Sequence, residues 1–253
     1  MYIISQSNKN QPTAMVYARI LLYLSFAITI TFLFSGYGYQ WDIWPLGLAF
    51  TLLRYSAYAA IAVSVISLIS IWFLRKSRAR AISYAVIAFL FTGIISGTAL
   101  YWQHRAQSVP PIHDITTDFD NPPEFVAMVR LRADAPNPHE YDAEQASSQR
   151  QAYPQIEPLY IDYELQEVMD VAVMIVTQRG WELVAINRND GRIEATEKLP
   201  WFGFKDDVVL RFIEDEEGHT RVDMRSKSRV GRSDLGVNAR RIHQFLNELE
   251  GNF

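Results

Sequence analysis

Residues 181–199, WELVAINRNDGRIEATEKL, predict a β-hairpin and decide how the second half of the chain folds. Two strand-like runs, 181–187 and 192–199, flank Asn189-Asp190-Gly191, whose residues tolerate the positive φ angles of a tight hairpin turn. In the next run, 207–214, the apolar residues Val208, Leu210 and Phe212 recur at every second position and so share one face of the strand. The sequence therefore predicts four antiparallel strands, the last two being 207–214 and 220–229.

Helical patterns flank these strands on both sides. Apolar residues recur at helical spacing before Gly180, at Leu165, Val168, Met169, Ala172 and Val176. A second helix is expected to begin near Ser233 or Asp234, either of which can cap its free N–H groups. Its apolar stripe is Leu235, Ala239, Ile242, Leu246 and Leu249. The order predicts an α+β fold, with two helices packed on one face of a four-stranded antiparallel sheet.

An arm rich in proline precedes the first of these helices. Residues 103–160 hold eight of the eleven prolines, which is too many for long helices or central strands. We expect extended pieces and turns that wrap around the domain, with 112–116 able to pair as a short strand.

The two halves of the chain differ in charge. Residues 1–101 hold seven basic residues and one acid, a net charge of +6, whereas the remainder carries −10. This difference in net charge between the two halves argues against a single soluble globular domain. The absence of any overall basic excess argues against a general nucleic-acid binder. Because the chain has no cysteine, disulfides, thiolate metal sites and cysteine nucleophiles are excluded.

The basic half contains three apolar runs, at about 14–36, 55–74 and 81–101. Each is close to the roughly 20 residues that a helix needs to cross a bilayer. Residues 1–102 are therefore predicted to be a three-span membrane anchor, and 103–253 a separate domain. The first run is too long for the apolar region of a cleaved signal peptide. The spans hold no Asp, Glu, Lys or His, which argues against a transporter.

Orientation follows from the basic residues that flank the spans, since these are retained in the cytoplasm. Four lie in the connection 75–80, and Lys9 and Arg19 precede or begin the first span. Only Arg54 and Arg105 lie near the membrane on the opposite side. We expect a multi-pass bacterial inner-membrane protein with a cytoplasmic N-terminus and a periplasmic C-terminal domain.

A local reversal of charge marks a candidate site. Between Arg221 and Arg241 seven basic residues face two acids, a net +5 inside a domain of −10. Such a patch, leading into a helix N-terminus, would suit a phosphate or carboxylate. The alternative is an internal lattice of ion pairs with acids on neighbouring strands, which needs no ligand. The candidate anion-binding residues are Arg225, Ser226, Arg229, Arg232, Ser233 and Arg241.

The same domain offers one set of acid–base candidates. His113, Asp114 and Asp223 could supply acid–base catalysis to an enzyme acting on an envelope phosphate or acyl ester. Asp206 and Asp207 are adjacent on a strand, so they point to opposite faces and do not form a carboxylate pair. The five histidines lack metal-ligand spacing, and no phosphate-binding glycine loop is present. We therefore predict no metal and no cofactor.

Several blocks of this domain resemble a bacterial family of unknown function, DUF1499. They are HDITTD at 113–118, PP at 122–123, YPQIEPL at 153–159, GW at 180–181, IEAT at 193–196, FKDDVVLR at 204–211, VDMRS at 222–226, SRVGRSDLG at 228–236 and NARRI at 238–242. The resemblance covers essentially all of 103–250. It implies no established activity or catalytic residues, but suggests that the Arg/Ser/Asp segment is a family hallmark and the anchor a variable addition.

The leading hypothesis is a non-catalytic binding module that recognises an anionic ligand or partner near the membrane. The partners expected are the lipid bilayer and an envelope protein, a lipid head group or a glycan, and not nucleic acid. Two alternatives stay open: a hydrolase or transferase acting on an envelope phosphate or acyl ester, and a purely structural subunit of a membrane complex.

Overall fold

The computed structural model describes residues 11–75 and 79–253. They form two compact units, divided between His104 and Arg105. Lys9, Lys76 and Arg78, which contribute to the predicted orientation, lie outside the described residues.

Three long helices make up the first unit: α1 Gln11–Gln40, α2 Leu46–Leu74 and α3 Ala79–Ser108, the last continuing into the second unit. Each is long and apolar enough to cross a membrane. They extend beyond the predicted spans, which stop at charged and polar residues such as Arg54 and Arg75. A helix accommodates such a residue without interruption, as α2 does Arg54.

Small side chains are buried inside this unit, and large apolar ones face outward. Ala18, Ala85 and Ser25 are fully buried, whereas Tyr23 and Ile94 are 69% and 70% exposed. Small residues let helices approach closely, and large apolar side chains on the outside suit a lipid environment. The unit is therefore compatible with a membrane anchor.

The second unit is built on one antiparallel sheet of six strands. The strands are β1 Asp114–Thr116, β2 Leu159–Ile161, β3 Glu182–Asn187, β4 Arg192–Lys198, β5 Lys205–Glu214 and β6 Thr220–Ser228. Their order is β1-β6-β5-β4-β3, and β2 also pairs with β6. The prediction of four strands was wrong, because β1 and β2 come from the proline-rich arm. At three residues each, they are too short for alternation to reveal them. The expectation that 112–116 pairs as a short strand is nevertheless confirmed, since β1 lies within it and pairs with β6.

Two helices, α6 Leu165–Gln178 and α7 Val237–Glu250, cover one face of the sheet. The hydrophobic core lies between them and the sheet and includes Val168, Ile175, Leu210, Met224 and Ile242, all fully buried. The predicted α+β class is confirmed. Two short α-helices, α4 Met128–Leu131 and α5 Ala146–Ala152, and a 3₁₀ turn at Ala143–Gln145 lie in the arm.

Helix α7 begins later than predicted, at Val237 and not at Ser233 or Asp234. Leu235 and Gly236 have φ angles of 55° and 76°, which interrupt a right-handed helix. The predicted capping residue is nevertheless used from outside the helix, since Asp234 accepts a hydrogen bond from the backbone N–H of Asn238 at 2.7 Å.

Candidate functional site

A layer of charged side chains lies between the sheet and the arm, on the face opposite the hydrophobic core. We call it the charged layer and define it by seven buried residues, Asp114, Arg132, Glu194, Asp207, Asp223, Arg225 and Lys227. A buried charge is costly unless it is paired. The partners of each group therefore decide how much charge is left for a ligand.

Asp114, on β1, holds the two cations at the centre of the layer. Arg225 donates to both of its carboxylate oxygens, at 2.9 and 2.8 Å, and Lys227 Nζ lies 3.1 Å from Oδ2. Further donors of Arg225 reach the backbone carbonyls of Pro123 and His139, at 3.3 and 3.0 Å. Arg225 is thus occupied within the protein.

Pairing decides the ionisation of Asp114. Burial alone would raise the pKa of this carboxyl, but the hydrogen bonds and charges of Arg225 and Lys227 outweigh it and hold the pKa below its ordinary 3.8. Burial lowers the pKa of Lys227, against the opposing effect of Asp114. At neutral pH Asp114 is a paired carboxylate, with no proton to donate.

Asp207, on β5, is a second centre. It accepts hydrogen bonds from Arg132 at 2.6 Å, from Arg229 at 2.8 Å to each carboxylate oxygen, and from the Thr196 hydroxyl at 2.7 Å. Arg132 comes from the arm, just after α4, and also donates to the carbonyl of Ser228 at 3.2 Å. The Asp207 cluster therefore ties the arm to β5 and β6.

A third cluster lies towards the other end of β6. Asp223 binds Arg211 at 2.7 Å and Arg221 at 3.0 Å, and Asp118 of the arm binds the same two arginines at 3.0 and 2.8 Å. Two carboxylates thus neutralise two guanidinium groups.

Arg241 and Ser226 lie on the core face, not in the charged layer. Arg241 pairs with Asp206 at 2.6 Å and Glu197 at 2.5 Å, and donates to the Ser226 hydroxyl at 2.9 Å. Ser226 in turn donates to Asn238 Oδ1 at 2.7 Å. As predicted, Asp206 and Asp207 point to opposite faces of the sheet.

A carboxylate of the protein, that of Asp234, already occupies the N-terminus of α7. Asp234 accepts from the N–H groups of Gly236 and Asn238, at 2.8 and 2.7 Å. The Ser233 hydroxyl accepts from the N–H of Leu235 at 3.3 Å. An external phosphate would have to compete with the Asp234 carboxylate for these donors.

The predicted anion-binding residues therefore divide into two groups. Arg225, Arg229 and Arg241 belong to ion pairs, and Ser226 and Ser233 make hydrogen bonds within the protein, which is the arrangement of the lattice alternative. Arg232 is exposed and makes no ion pair within residues 11–75 and 79–253.

The acid–base candidates do not converge. His113 is half-buried, and burial together with the charge of Lys227 lowers its pKa. Its Nδ1 lies 3.5 Å from Gln145 Nε2, while Asp114 and Asp223 are occupied by arginines. None of these three lines either of the two concavities described below. In the described part of the chain, no cluster of three His, Asp or Glu could hold a metal ion.

An open groove of about 500 Å³ lies beside β2, lined by residues from 117–119 and 153–160 together with Arg150. We call it the groove. The Arg150 guanidinium sits over the Phe119 ring, 4.4 Å from its centroid. The nearest carboxylate oxygen, on the fully exposed Asp120, is 3.9 Å from Arg150, so solvent weakens this pair. Arg150 is therefore available to a ligand.

Sequence reasoning missed the groove because its walls come from segments that lie over thirty residues apart. The one available signal was the block YPQIEPL at 153–159, where aromatic and proline residues adjoin an acid. It was assigned only to the arm.

A comparison with known families matches residues 114–249 to the family described as "Protein of unknown function (DUF1499)". The match spans the sheet, both covering helices and most of the arm. No curated protein matches the sequence. Since the match covers more than half of the chain, this protein belongs to the DUF1499 family.

Proposed function

We propose that the chain is a multi-pass protein of the bacterial inner membrane that carries its α+β unit on the periplasmic side and acts there as a non-catalytic binding module. The three apolar helices and the distribution of basic residues support this orientation.

One observation carries the binding proposal: the two carboxylate candidates for catalysis, Asp114 and Asp223, are paired with arginines in the charged layer, while the groove is open. Catalysis needs a nucleophile, acid or base within reach of a substrate. The groove instead offers aromatic and proline surfaces with one accessible cation and one exposed acid. Such a surface suits recognition more than reaction.

The orientation is tested by single-cysteine labelling, which the natural absence of cysteine makes direct. Ser147→Cys, at an exposed position of the arm, should react with a membrane-impermeant maleimide in intact spheroplasts. Ser77→Cys, in the basic connection, should react only after lysis. The reverse pattern would overturn the proposed orientation.

The binding role is tested by photocrosslinking in native membranes. A photoreactive phenylalanine derivative at Tyr160, in the groove, should give a discrete adduct. The same derivative at Glu182, exposed on β3, is the matched control and should give none. Equal labelling at both positions, or no adduct at Tyr160, would rule out the groove as a binding site.

A further inference from the structure

The groove has a smaller neighbour, and the two share the lining segment 156–158, which we call the ridge. The second concavity has a volume of about 160 Å³ and shares Ile156, Glu157 and Pro158 with the groove. Its remaining walls come from Gln155 and Leu159 and from the surface of α7. A ligand longer than one ring could occupy both concavities by crossing the ridge.

The groove presents flat apolar faces to solvent. Tyr160 is 65% exposed and Pro158 is partly exposed, whereas the partly exposed Phe119 ring lies under the Arg150 guanidinium. Exposed aromatic rings in a concave site favour a ligand with a flat apolar face and polar edges. The C–H faces of a pyranose ring have this character, since its hydroxyls project from the rim.

The two charged residues that line the groove are of opposite sign. Arg150 offers donors and Glu157 offers acceptors, and both are exposed. A phosphate or carboxylate ligand would meet the repulsion of Glu157, and a cation that of Arg150. A ligand that carries donors and acceptors together, without net charge, meets neither penalty.

The smaller concavity repeats this mixed character with amide and imidazole groups. Gln155, His243 and Asn247 line it, and each combines donors with an acceptor. The Asn247 amide lies 3.4 Å from the His243 ring nitrogens, so the two groups are held near each other. Such groups match sugar hydroxyl and acetamide substituents.

We propose that the groove and the smaller concavity together bind an uncharged oligosaccharide. One ring stacks on Tyr160 with its hydroxyls between Arg150 and Glu157, and the next ring lies beyond the ridge, at Asn247. This rests on the proposed binding function and names its ligand class.

The test uses the full chain, solubilised in a detergent without a sugar head group, and soluble N-acetylglucosamine oligomers as the probe. Binding is measured by saturation-transfer NMR and calorimetry. We expect saturable binding that tightens from the monomer to the trimer, as the second concavity fills. Tyr160→Ala should weaken it by about tenfold. Leu183→Ala, exposed on β3, is the matched control and should leave it unchanged.

Glu157→Gln keeps the shape of the ridge and removes its charge, and it should weaken the oligomer while letting inorganic phosphate bind at Arg150. Tight binding of phosphate or of a proline-rich peptide to the natural chain, lost in Tyr160→Ala, would overturn the saccharide assignment and leave the binding function standing. If no oligomer binds but the Tyr160 photoadduct persists, the saccharide assignment again fails alone. The absence of both would overturn both proposals.

Discussion

The side-chain amide of Gln149 pairs with both backbone polar groups of Thr116. Its Nε2 donates to the Thr116 carbonyl at 2.7 Å, and its Oε1 accepts from the Thr116 N–H at 3.1 Å. Gln149 is fully buried and lies on α5 of the arm, whereas Thr116 is the last residue of β1. One amide therefore takes the place of a neighbouring strand at the sheet edge. Without it, the buried N–H and C=O of Thr116 would be unpaired.

Replacing Gln149 with alanine should therefore destabilise the second unit. The substitution leaves a buried N–H and a buried C=O without partners, at a cost of about 1–3 kcal/mol for each unsatisfied group. Pulse proteolysis of the full chain in urea would measure the loss. Gln151→Ala, two residues away and exposed, is the matched control and should behave as the natural chain. An equal urea midpoint for Gln149→Ala would show that the pairing contributes nothing.

Arg132→Ala tests whether the ion pairs hold the arm to the sheet. Both Arg132 and its partner Asp207 have fully buried side chains, and removal of one member of such a pair costs about 3 kcal/mol or more. Arg229 still pairs with Asp207, so the sheet should survive while the arm opens first. Limited proteolysis should then cut within 133–142 sooner than in the natural chain. Arg130→Ala, exposed on α4, should not change the cleavage rate.

Two further outcomes of the Arg132→Ala experiment would change the role assigned to this ion pair. If Arg132→Ala lowers the urea midpoint without faster cleavage of the arm, the ion pair stabilises the whole unit and not its attachment. If neither changes, the charged layer has no structural role at this position.

The strands and helices that the sequence revealed are those long enough to show a period. β5 and α7 have ten and fourteen residues. Val208, Leu210 and Phe212 of β5 alternate onto the core face, and the buried positions of α7 follow the helical stripe. The turn at Gly191 was equally legible, because its φ of 57° is one that few residues besides glycine adopt. β1 has three residues, and its pairing with β6 depends on partners over a hundred positions away.

Because side chains alternate along a strand, the sequence of β6 is enough to place Asp223, Arg225 and Lys227 on one face, where the structure shows them. It does not predict what packs against that face. Asp114, which binds Arg225 and Lys227, comes from the arm, at a sequence separation that no local pattern reports. The same is true of Asp118, which binds Arg211 and Arg221 beside Asp223. Whether the charged residues form an ion-pair lattice or a ligand site depends on the arm. The sequence alone therefore does not decide between the two.

Gly191→Ala should be more damaging than Gly218→Ala, although both glycines end hairpin turns with positive φ, 57° and 88°. A Cβ at Gly191 would lie 2.3 Å from the carbonyl oxygen of Phe212, whereas at Gly218 nothing lies within 4 Å. Gly218→Ala should cost about 1 kcal/mol from backbone strain alone. Gly191→Ala should in addition displace β5, a central strand. The difference between the urea midpoints of the two variants would measure this added loss of stability. Equal urea midpoints would mean that β5 moves to accommodate the added Cβ without loss of stability.

The carboxylates of the charged layer predict a loss of stability in acid. Burial alone would raise the pKa of Asp207, but the hydrogen bonds of Arg229 and Thr196 and the charges of Arg229 and Arg132 hold it below its ordinary 3.8. Asp114 behaves in the same way. A carboxyl whose folded pKa is depressed contributes stability that is present above the unfolded pKa and is lost as the pH falls through the folded value. The free energy of unfolding should therefore fall below about pH 4. Asp234 works in the opposite direction, because burial raises its pKa and its cost disappears on protonation.

Asp207→Asn separates the contribution of that one group. At pH 7 the variant leaves Arg132 and Arg229 without their carboxylate and should be less stable than the natural chain by about 3 kcal/mol or more. As the pH falls through the folded pKa of Asp207, the natural chain loses the same charge, so the difference between the two urea midpoints should shrink. Asp134→Asn, at an exposed position of the arm, is the control and should follow the natural chain at every pH. A difference that stays constant from pH 7 down to acid conditions would show that the charge of Asp207 does not account for the lost stability, because only the natural side chain titrates.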